Sequence, residues 1–214
     1  MNPSMTTYRL SHLVQEAVVL LVLLGSCWGC AGIQPPNIHH YTLHYDPPGQ
    51  GREGPVGPLV LQVERFGTAP PYNTTKLVYA TDDFGRNMYV SHQWRAIPGE
   101  LIAYYLARDL RSSGIFKAVA GPESRLPADR VLSGSVDELL EMEEATGCSA
   151  IVGVTVTLLE AGQPDVSKRV VFQKSYRQRV PAARRTAGDL VAAFSSAVQL
   201  ISRELAADIR NHTN

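Results

Sequence analysis

The segment from Ala150 to Leu159 constrains the fold more strongly than any other part of this chain. It reads Ala-Ile-Val-Gly-Val-Thr-Val-Thr-Leu-Leu, and most of its residues are valine, isoleucine or threonine. β-Branched side chains are restricted at χ1 and pack well on a pleated sheet, so this run predicts a strand in the interior of a sheet. The remaining chain must therefore supply neighbouring strands.

Two further segments predict those neighbours. Residues 131–140 begin with Val-Leu-Ser-Gly-Ser-Val, and the turn residues Thr146 and Gly147 separate them from the central run. After a second turn at residues 162–165, apolar side chains recur at even offsets with charged residues between them, which is typical of a half-exposed antiparallel strand. These side chains are Val170, Phe172, Tyr176 and Val180. We therefore predict a three-stranded meander.

Two segments have the three- and four-residue apolar spacing of amphipathic helices. The first begins at Pro98 and ends at Gly114, residue types that favour the first turn and the end of a helix. The second follows Thr186 and Asp189, which resemble a capping box. The first stripe is Leu101, Ile102, Tyr105, Leu106 and Leu110, and the second is Leu190, Phe194, Ala197, Val198, Ile201, Leu205 and Ile209.

Shorter β-rich segments complete the pattern. They comprise residues 58–66, 76–79, 87–90 and 116–119. The order β-β-β-α-β-β-β-β-α indicates an α+β fold, with an antiparallel or mixed sheet and two helices packed on one face. A chain of 214 residues is long enough for one such core, and we place this domain at residues 58–214.

The N-terminus has the organisation of an export signal. Arg9 and His12 precede an apolar run over residues 17–24, and a glycine and a serine follow it. A basic region, an apolar region and a small-residue cleavage site in this order are typical of a secretory signal peptide. The apolar run is shorter than the roughly 20 residues that a membrane-spanning helix needs. We therefore predict that residues 1–26 are removed.

The residues Leu24-Gly25-Ser26-Cys27 resemble the lipobox of bacterial lipoproteins. The resemblance implies that Cys27 receives a diacylglyceryl group, that the signal peptide is cut before it, and that its new amine is acylated. Each buried methylene contributes roughly 0.8 kcal/mol, so two or more acyl chains hold a protein durably on a membrane. We predict that residues 27–57, which are rich in Pro and Gly, form a flexible lipidated tether with a short first strand near Tyr41.

Trp28 follows the predicted lipidated cysteine. In enterobacterial lipoproteins, an Asp at this position acts as a signal for retention in the inner membrane. The absence of that Asp implies transfer to the outer membrane, with the protein facing the periplasm.

Composition and motifs argue against nucleic-acid binding and against catalysis. Lys and Arg together number 20, as do Asp and Glu, so no net charge steers the protein toward a polyanion. The chain has no phosphate-loop, zinc-protease or serine-hydrolase motif. Ser133, Ser135 and Asp137 would share the polar face of a strand, where nothing supplies a base. We predict a protein that is not an enzyme and that has no cofactor besides the covalent lipid at Cys27.

His39, His40 and His44 come nearest to a metal-ligand cluster. They lie beside the Pro-rich tether, which offers neither rigid geometry nor a carboxylate ligand, so we predict solvated loop histidines and no metal site. Two alternatives stay open for Cys30 and Cys148. They could pair as a disulfide in an oxidising periplasm, or Cys148 could remain a partly buried free thiol.

Four aromatic residues in one turn-rich stretch form the candidate interface: Tyr72, Tyr79, Tyr89 and Trp94. Tyr and Trp offer large contact area with a polar tip and are over-represented at protein interfaces. The alternative is that these rings cap the core, above all Trp94, which lies close to Pro98.

Several short pieces follow one another along the chain in an order and spacing that resemble a known family. They are Tyr41-Thr42-Leu43, Leu59-Val-Leu-Gln-Val63, Leu77-Val-Tyr79, Tyr89 with Trp94 and Pro98, Leu110 to Phe116, and Leu132-Ser-Gly-Ser-Val136. Together they resemble the ABC-type transport auxiliary lipoproteins, which include the paraquat-inducible protein C lipoproteins. The family often has a basic residue where this chain has Ala80.

The resemblance implies a non-enzymatic auxiliary component of an MCE-type ABC lipid transport system. Such a component would dock or hold the outer-membrane end of a conduit, with MCE-domain proteins as partners and a homo-oligomeric ring as one form of assembly. The same order of elements also resembles the periplasmic lipoproteins of curli secretion and of peptidoglycan-synthase activation. A periplasmic hydrolase is a third reading, which the lack of a nucleophile and base pair disfavours.

Overall fold

The computed structural model describes Glu16, residues 37–49 and residues 57–213. The chain divides into two compact units, residues 1–36 and residues 37–214. Glu16, the described residue of the first unit, is helical. The predicted cleavage site, Cys27, Trp28 and Cys30 lie outside the described residues.

Nine strands and two α-helices make up the described part of the second unit. In chain order they are β1 (His39–Tyr41), β2 (Val60–Val63), β3 (Gly67–Thr68), β4 (Lys76–Ala80), β5 (Asn87–Trp94), α1 (Pro98–Ser112), β6 (Ala118–Ala120), β7 (Arg130–Glu144), β8 (Gly147–Glu160), β9 (Val170–Pro181) and α2 (Ala187–Thr213). Short 3-10 helices at Pro70–Tyr72 and Val166–Lys168 lie in the connections.

All nine strands belong to one mixed sheet built around β7. Along one edge, β7 pairs with β8 and β8 pairs with β9, both in antiparallel orientation. In this register Val136 lies opposite Val154, and Val154 lies opposite Tyr176. The predicted meander is therefore confirmed, with the β-branched run of β8 in the interior of the sheet.

The other edge of β7 is occupied by three short strands in succession. β2, β3 and β4 all run parallel to β7, where their partners include Leu132, Val136 and Glu141. β6 extends the sheet beyond β2 in parallel orientation, while β5 pairs with β4 in antiparallel orientation and β1 with β5 in parallel orientation. Parallel neighbours need a crossover connection, and α1 lies in the connection that leads from β2 to its parallel neighbour β6.

Both helices pack on the same face of this sheet, as predicted. The two predicted apolar stripes are buried along their whole length, and they share one core with inward-facing side chains of the long strands such as Leu132 and Val154. α1 begins at Pro98, and Gly114 follows its end with φ +68°, a conformation that favours glycine. The α+β class is therefore confirmed.

The start of α2 is capped by Thr186. The Asp189 N–H donates to Thr186 Oγ1 at 3.2 Å, and the Thr186 hydroxyl donates to Asp189 Oδ2 at 2.6 Å. By length and composition alone, the segment Ala187–Asn211 is apolar enough to cross a membrane. Its apolar stripe is buried against β8 and β9, however, so α2 is a core helix.

The folded domain extends toward the N-terminus beyond the predicted boundary at residue 58. The predicted first strand near Tyr41 is present as β1, and the Arg95 N–H donates to the Tyr41 carbonyl at 2.9 Å. Leu43 is 2% exposed, and the Tyr45 hydroxyl donates to Asp109 Oδ2 at 2.8 Å. Residues 37–49 therefore belong to the domain and not to a loose tether, because strand pairing and core contacts bind them in place.

The opposite face of the sheet is mostly polar. A small second cluster covers part of it and contains Tyr72, Val78, Ala80, Leu140 and Ile151. Farther along, the Ser135 and Thr155 hydroxyls donate to the Asp137 carboxylate at 2.6 Å and 2.5 Å. Ser135 and Asp137 therefore form part of a hydrogen-bonded polar sheet surface, as the alternating pattern predicts.

Candidate interaction site

Two of the four predicted interface residues are core residues. Trp94 is 2% exposed and packs edge-on against Phe194 of α2, with ring centroids 5.3 Å apart. Tyr72 is 5% exposed and belongs to the second cluster, and its hydroxyl accepts a hydrogen bond from Arg86 Nε. Neither ring can present a contact surface to a partner, because α2 covers Trp94 and the second cluster encloses Tyr72.

Tyr79 and Tyr89 remain accessible and lie side by side. They occupy the neighbouring strands β4 and β5, both are half-buried, and their ring centroids are 4.8 Å apart. The Tyr89 hydroxyl donates to Glu141 Oε2 at 2.7 Å. The pKa of Tyr89 is raised above its ordinary value, mainly because the phenol is buried and also because of this hydrogen bond to Glu141. The pair is a rigid aromatic surface at this edge of the sheet.

An irregularity in β5 extends this aromatic surface. Between the pairs Lys76–Gln93 and Val78–Met88, one β4 residue lies opposite four β5 residues. Such bulges redirect side chains, and the His92 ring here lies edge-on to the Tyr89 ring at 5.5 Å.

β1 completes the cluster. The His39 ring stacks on His92 at 5.6 Å, and Tyr41 Oη lies 2.9 Å from His92 Nδ1. We call Tyr79, Tyr89, His92, Tyr41 and His39 the aromatic edge. The histidine at position 39 is thus part of an ordered ring cluster, where the sequence analysis expected a solvated loop residue.

A cavity of about 160 Å³ lies beneath the aromatic edge. Its polar lining includes Tyr89, His92, Glu141 and Arg185, and the apolar lining includes Leu77. The volume is below the roughly 300 Å³ at which pockets for drug-sized molecules begin. The cavity can therefore take a small polar group, and its side chains can both donate and accept hydrogen bonds.

The carboxylate of Glu141 lies at the centre of these polar contacts. It is only 6% exposed. Burial and a hydrogen bond to Glu141 raise the pKa of the buried Cys148 thiol to about 11. Arg185 donates to the backbone carbonyls of Glu144 and Gly147, the latter at 3.1 Å. Among the residues that the structure describes, no group of three or more His, Cys, Asp and Glu could hold a metal ion.

A larger and more apolar groove lies beside α1. Its volume is about 350 Å³, within the range of small-molecule sites. On the helix, Ala103 and Ala107 form the floor of the groove, and Tyr104, which is 67% exposed, forms one side. Arg65 and Arg111 also line the groove. The small side chains of Ala103 and Ala107 leave room against α1, but among the described residues that line the groove no buried polar group defines a ligand.

Sequence patterns alone missed His92, Glu141 and Arg185. Glu141 had a signal, since it is an acidic residue within the otherwise apolar Leu139-Leu140-Glu141-Met142. The other two had none, because only the strand irregularity and the turn before α2 bring them to the cavity.

Comparisons with known proteins support the fold. No curated protein matches this chain. The crystal structure of protein XCC0632 from Xanthomonas campestris is similar, with a TM-score of 0.71 and 16% identity, covering 81% of this chain and 95% of that one. A second crystal structure, of an uncharacterised protein, has a TM-score of 0.61 and 15% identity, covering 81% and 99%. At these identities the likeness shows a shared fold.

The sequence itself matches a family model. The model describes the ABC-type transport auxiliary lipoprotein component, and it matches residues 41–206. The match spans most of the second unit, from β1 through the aromatic edge into α2. The chain therefore belongs to the family of ABC-type transport auxiliary lipoprotein components.

Proposed function

We propose that this protein is the auxiliary lipoprotein of an MCE-type ABC system that transports lipids. In this role it docks the outer-membrane end of the conduit and catalyses no reaction. The observation that carries the proposal is the family match over residues 41–206. The family accounts for the lipoprotein character and for the association with ABC-type transport. The family description does not specify the MCE partner, the lipid cargo or the outer membrane, and we propose these three features in addition.

The membrane end of the proposal rests on the lipobox-like residues Leu24 to Cys27. Lipid at Cys27 would anchor the chain, since several acyl chains together give durable membrane binding. Trp28 in place of an Asp favours the outer membrane. The domain would then face the periplasm, where a conduit from the inner membrane arrives.

The docking end of the proposal rests on Tyr79 and Tyr89. Interfaces draw most of their binding energy from a few aromatic or arginine side chains that are well supported from behind. Tyr89 has such support from the buried Glu141 carboxylate, and Tyr79 packs on Tyr89. These two rings therefore offer a preorganised contact for an MCE-domain protein.

We also propose a homo-oligomeric ring, by resemblance to the family. A closed ring needs two different, complementary surfaces on each copy. Light scattering on the purified mature lipoprotein in detergent tests this part separately. A single mass close to that of one copy would contradict the ring and leave the MCE partnership standing.

Co-purification tests the partnership. The tagged full-length lipoprotein, extracted in mild detergent, should retain the MCE-domain protein of the same bacterium. Tyr79→Ala should weaken that binding about tenfold, which corresponds to about 1.4 kcal/mol. Tyr104→Ala is the matched control, because Tyr104 is also an accessible tyrosine but lies on α1.

Two outcomes would contradict the proposal. If the unmodified lipoprotein retains no MCE protein, the partnership is wrong. If Tyr104→Ala weakens binding as much as Tyr79→Ala, the aromatic edge is not the docking surface. The thermal unfolding midpoint of each variant must stay near that of the unmodified protein for the binding result to count.

A further inference from the structure

The turn between β4 and β5 presents large apolar side chains to solvent. Phe84 is 97% exposed, and Val90 and Met88 on the following strand are 68% and 46% exposed. Single apolar residues on a surface are common, but a group of them on one element marks a contact with a protein or a membrane. We call Phe84, Met88 and Val90 the hairpin patch.

The turn that carries Phe84 is held by hydrogen bonds. The Asp82 carboxylate accepts bonds from the N–H groups of Phe84 and Gly85 at 2.8 Å and 2.6 Å, and these bonds hold the pKa of Asp82 below its ordinary value. Arg86 donates to the Gly85 carbonyl at 2.7 Å and to the hydroxyl of the buried Tyr72 at 3.0 Å. The turn is thus ordered while the Phe84 ring is left outside the core.

The direction of β1 relates this patch to the membrane anchor. β1 runs parallel to β5, with His39 opposite His92. The end of β1 that leads back toward Cys27 therefore points along β5 toward Asn87, the first residue after the turn. The chain enters the domain from the side on which the hairpin patch lies.

The chain before β1 is long enough to reach the level of the turn. Asn87 and His92 are five positions apart (92 − 87), which is at most about 17 Å at about 3.3 Å per strand residue. Cys27 and His39 are 12 positions apart (39 − 27), and 12 residues can span at most about 43 Å. This length of chain therefore permits a bilayer that carries the lipid at Cys27 to lie at the level of the turn.

We infer that the hairpin patch is a membrane-contact element, in which Phe84 enters the interface of the bilayer that carries the Cys27 lipid. The inference rests on the lipid attachment in the proposed function. Phenylalanine is among the side chains that interfacial segments bury at the boundary between headgroups and acyl chains, and a second contact would orient the domain relative to the bilayer. The turn contains Asp82, Asp83 and Arg86 and therefore has no net positive charge that would attract anionic lipid. The proposed contact is made by the apolar side chains alone.

A photoreactive phenylalanine tests the inference in the full-length protein. p-Benzoylphenylalanine replaces Phe84 in one strain and Tyr104 in another, and the proteins are irradiated in cells and in vesicles of phosphatidylethanolamine. Both positions are exposed, but Tyr104 lies on α1. The probe at position 84 should give at least fivefold more lipid adduct, identified by mass, than the probe at position 104.

Each other outcome overturns the inference. Adducts at position 84 with a second copy of the chain or with another protein would show that the patch is a protein contact. Equal lipid adduct at positions 84 and 104 would show that the patch does not approach the membrane.

Labelled fatty acid, followed in the same samples, separates this failure from failure of the anchor. If fatty acid is incorporated but position 84 gives no excess of lipid adduct, only the hairpin inference is wrong. If no fatty acid is incorporated, the lipid attachment fails and this inference fails with it. Phe84→Ser should unfold at the same temperature as the unmodified protein, because a side chain this exposed contributes little to stability.

Discussion

The Tyr89 hydroxyl donates a 2.7 Å hydrogen bond to Oε2 of Glu141 and thereby joins the β4–β5 hairpin to the central strand β7. Glu141 is 6% exposed, so its carboxylate depends on protein donors more than on water. Through this bond the aromatic edge is supported by the interior of the domain. The surface that we propose for docking therefore has a rigid foundation.

Removing the Tyr89 hydroxyl should destabilise the fold. Tyr89→Phe leaves a buried carboxylate oxygen without its donor, and we expect a loss of about 1–3 kcal/mol in the free energy of unfolding. Urea unfolding of the purified domain measures this loss. Tyr79→Phe is the control, because the Tyr79 hydroxyl makes no hydrogen bond within the described part of the chain. Equal losses in the two variants would mean that the Glu141 bond contributes nothing specific.

The Cys148 thiol should make the fold sensitive to alkaline pH. Burial, followed by the contact with Glu141, raises the pKa of Cys148 from 9.0 to about 11. Because the pKa is raised in the folded state, the protonated thiol contributes its full stabilisation below pH 9, and this contribution is lost as the pH rises through 11. Between about pH 8 and pH 11, the free energy of unfolding of Cys148→Ala should therefore fall by about 2 kcal/mol less than that of the unmodified protein. Parallel pH curves for the two proteins would rule out this contribution.

Two glycines occupy the second position of the two helices and should respond oppositely to alanine. A Cβ on Gly99 would lie 2.3 Å from the Phe66 carbonyl oxygen and 2.8 Å from Thr68 Oγ1, whereas a Cβ on Gly188 would meet nothing within 4 Å. We expect Gly99→Ala to cost about 1–3 kcal/mol through overpacking. Gly188→Ala should stabilise the domain by up to about 1 kcal/mol, since alanine favours the helix. Thermal unfolding of both variants checks the contrast, which a cost at both positions would contradict.

The lipid attachment has a direct test. Cys27→Ala should abolish incorporation of labelled fatty acid and leave the precursor uncleaved or the protein soluble, because the modified sulfur is gone. Cys30→Ala is the matched control and should incorporate label normally. Label that persists in Cys27→Ala would assign the lipid to another residue.

Much of the fold follows from local patterns. The β-branched run of β8, the alternation in β9 and the apolar stripes of the two helices each predict their own element, because the residues that define it are close in sequence. The ends of α1 and the cap of α2 are equally local, since Pro98, Gly114 and Thr186 act through their immediate backbone. The antiparallel meander also follows, because both of its connections are shorter than the dozen or more residues that a parallel crossover needs.

The candidate site follows from the sequence only in part. Tyr79 and Tyr89 were predicted as surface aromatics and are accessible, but Trp94 and Tyr72 are buried. Composition could not separate these residues, since all four occur in similar turn-rich surroundings. The tertiary packing separates them, because α2 covers Trp94 and the second cluster encloses Tyr72, whereas Tyr79 and Tyr89 stay partly exposed.

The sequence by itself determined the three long strands of the meander, both helices with their apolar faces, the α+β class and the family. Only the tertiary structure decided the parallel pairing of β2, β3 and β4 with β7, the inclusion of residues 37–49 in the domain, and the meeting of Tyr89, His92 and Glu141 at one cavity. Gly99 and Gly188 illustrate this difference. The sequence places both at the second position of a helix, but residues far away in the chain decide how much space surrounds a Cβ at each position. Contacts between residues far apart in the sequence leave no periodic pattern from which they could be predicted. They are therefore decided only by the packing of the whole core.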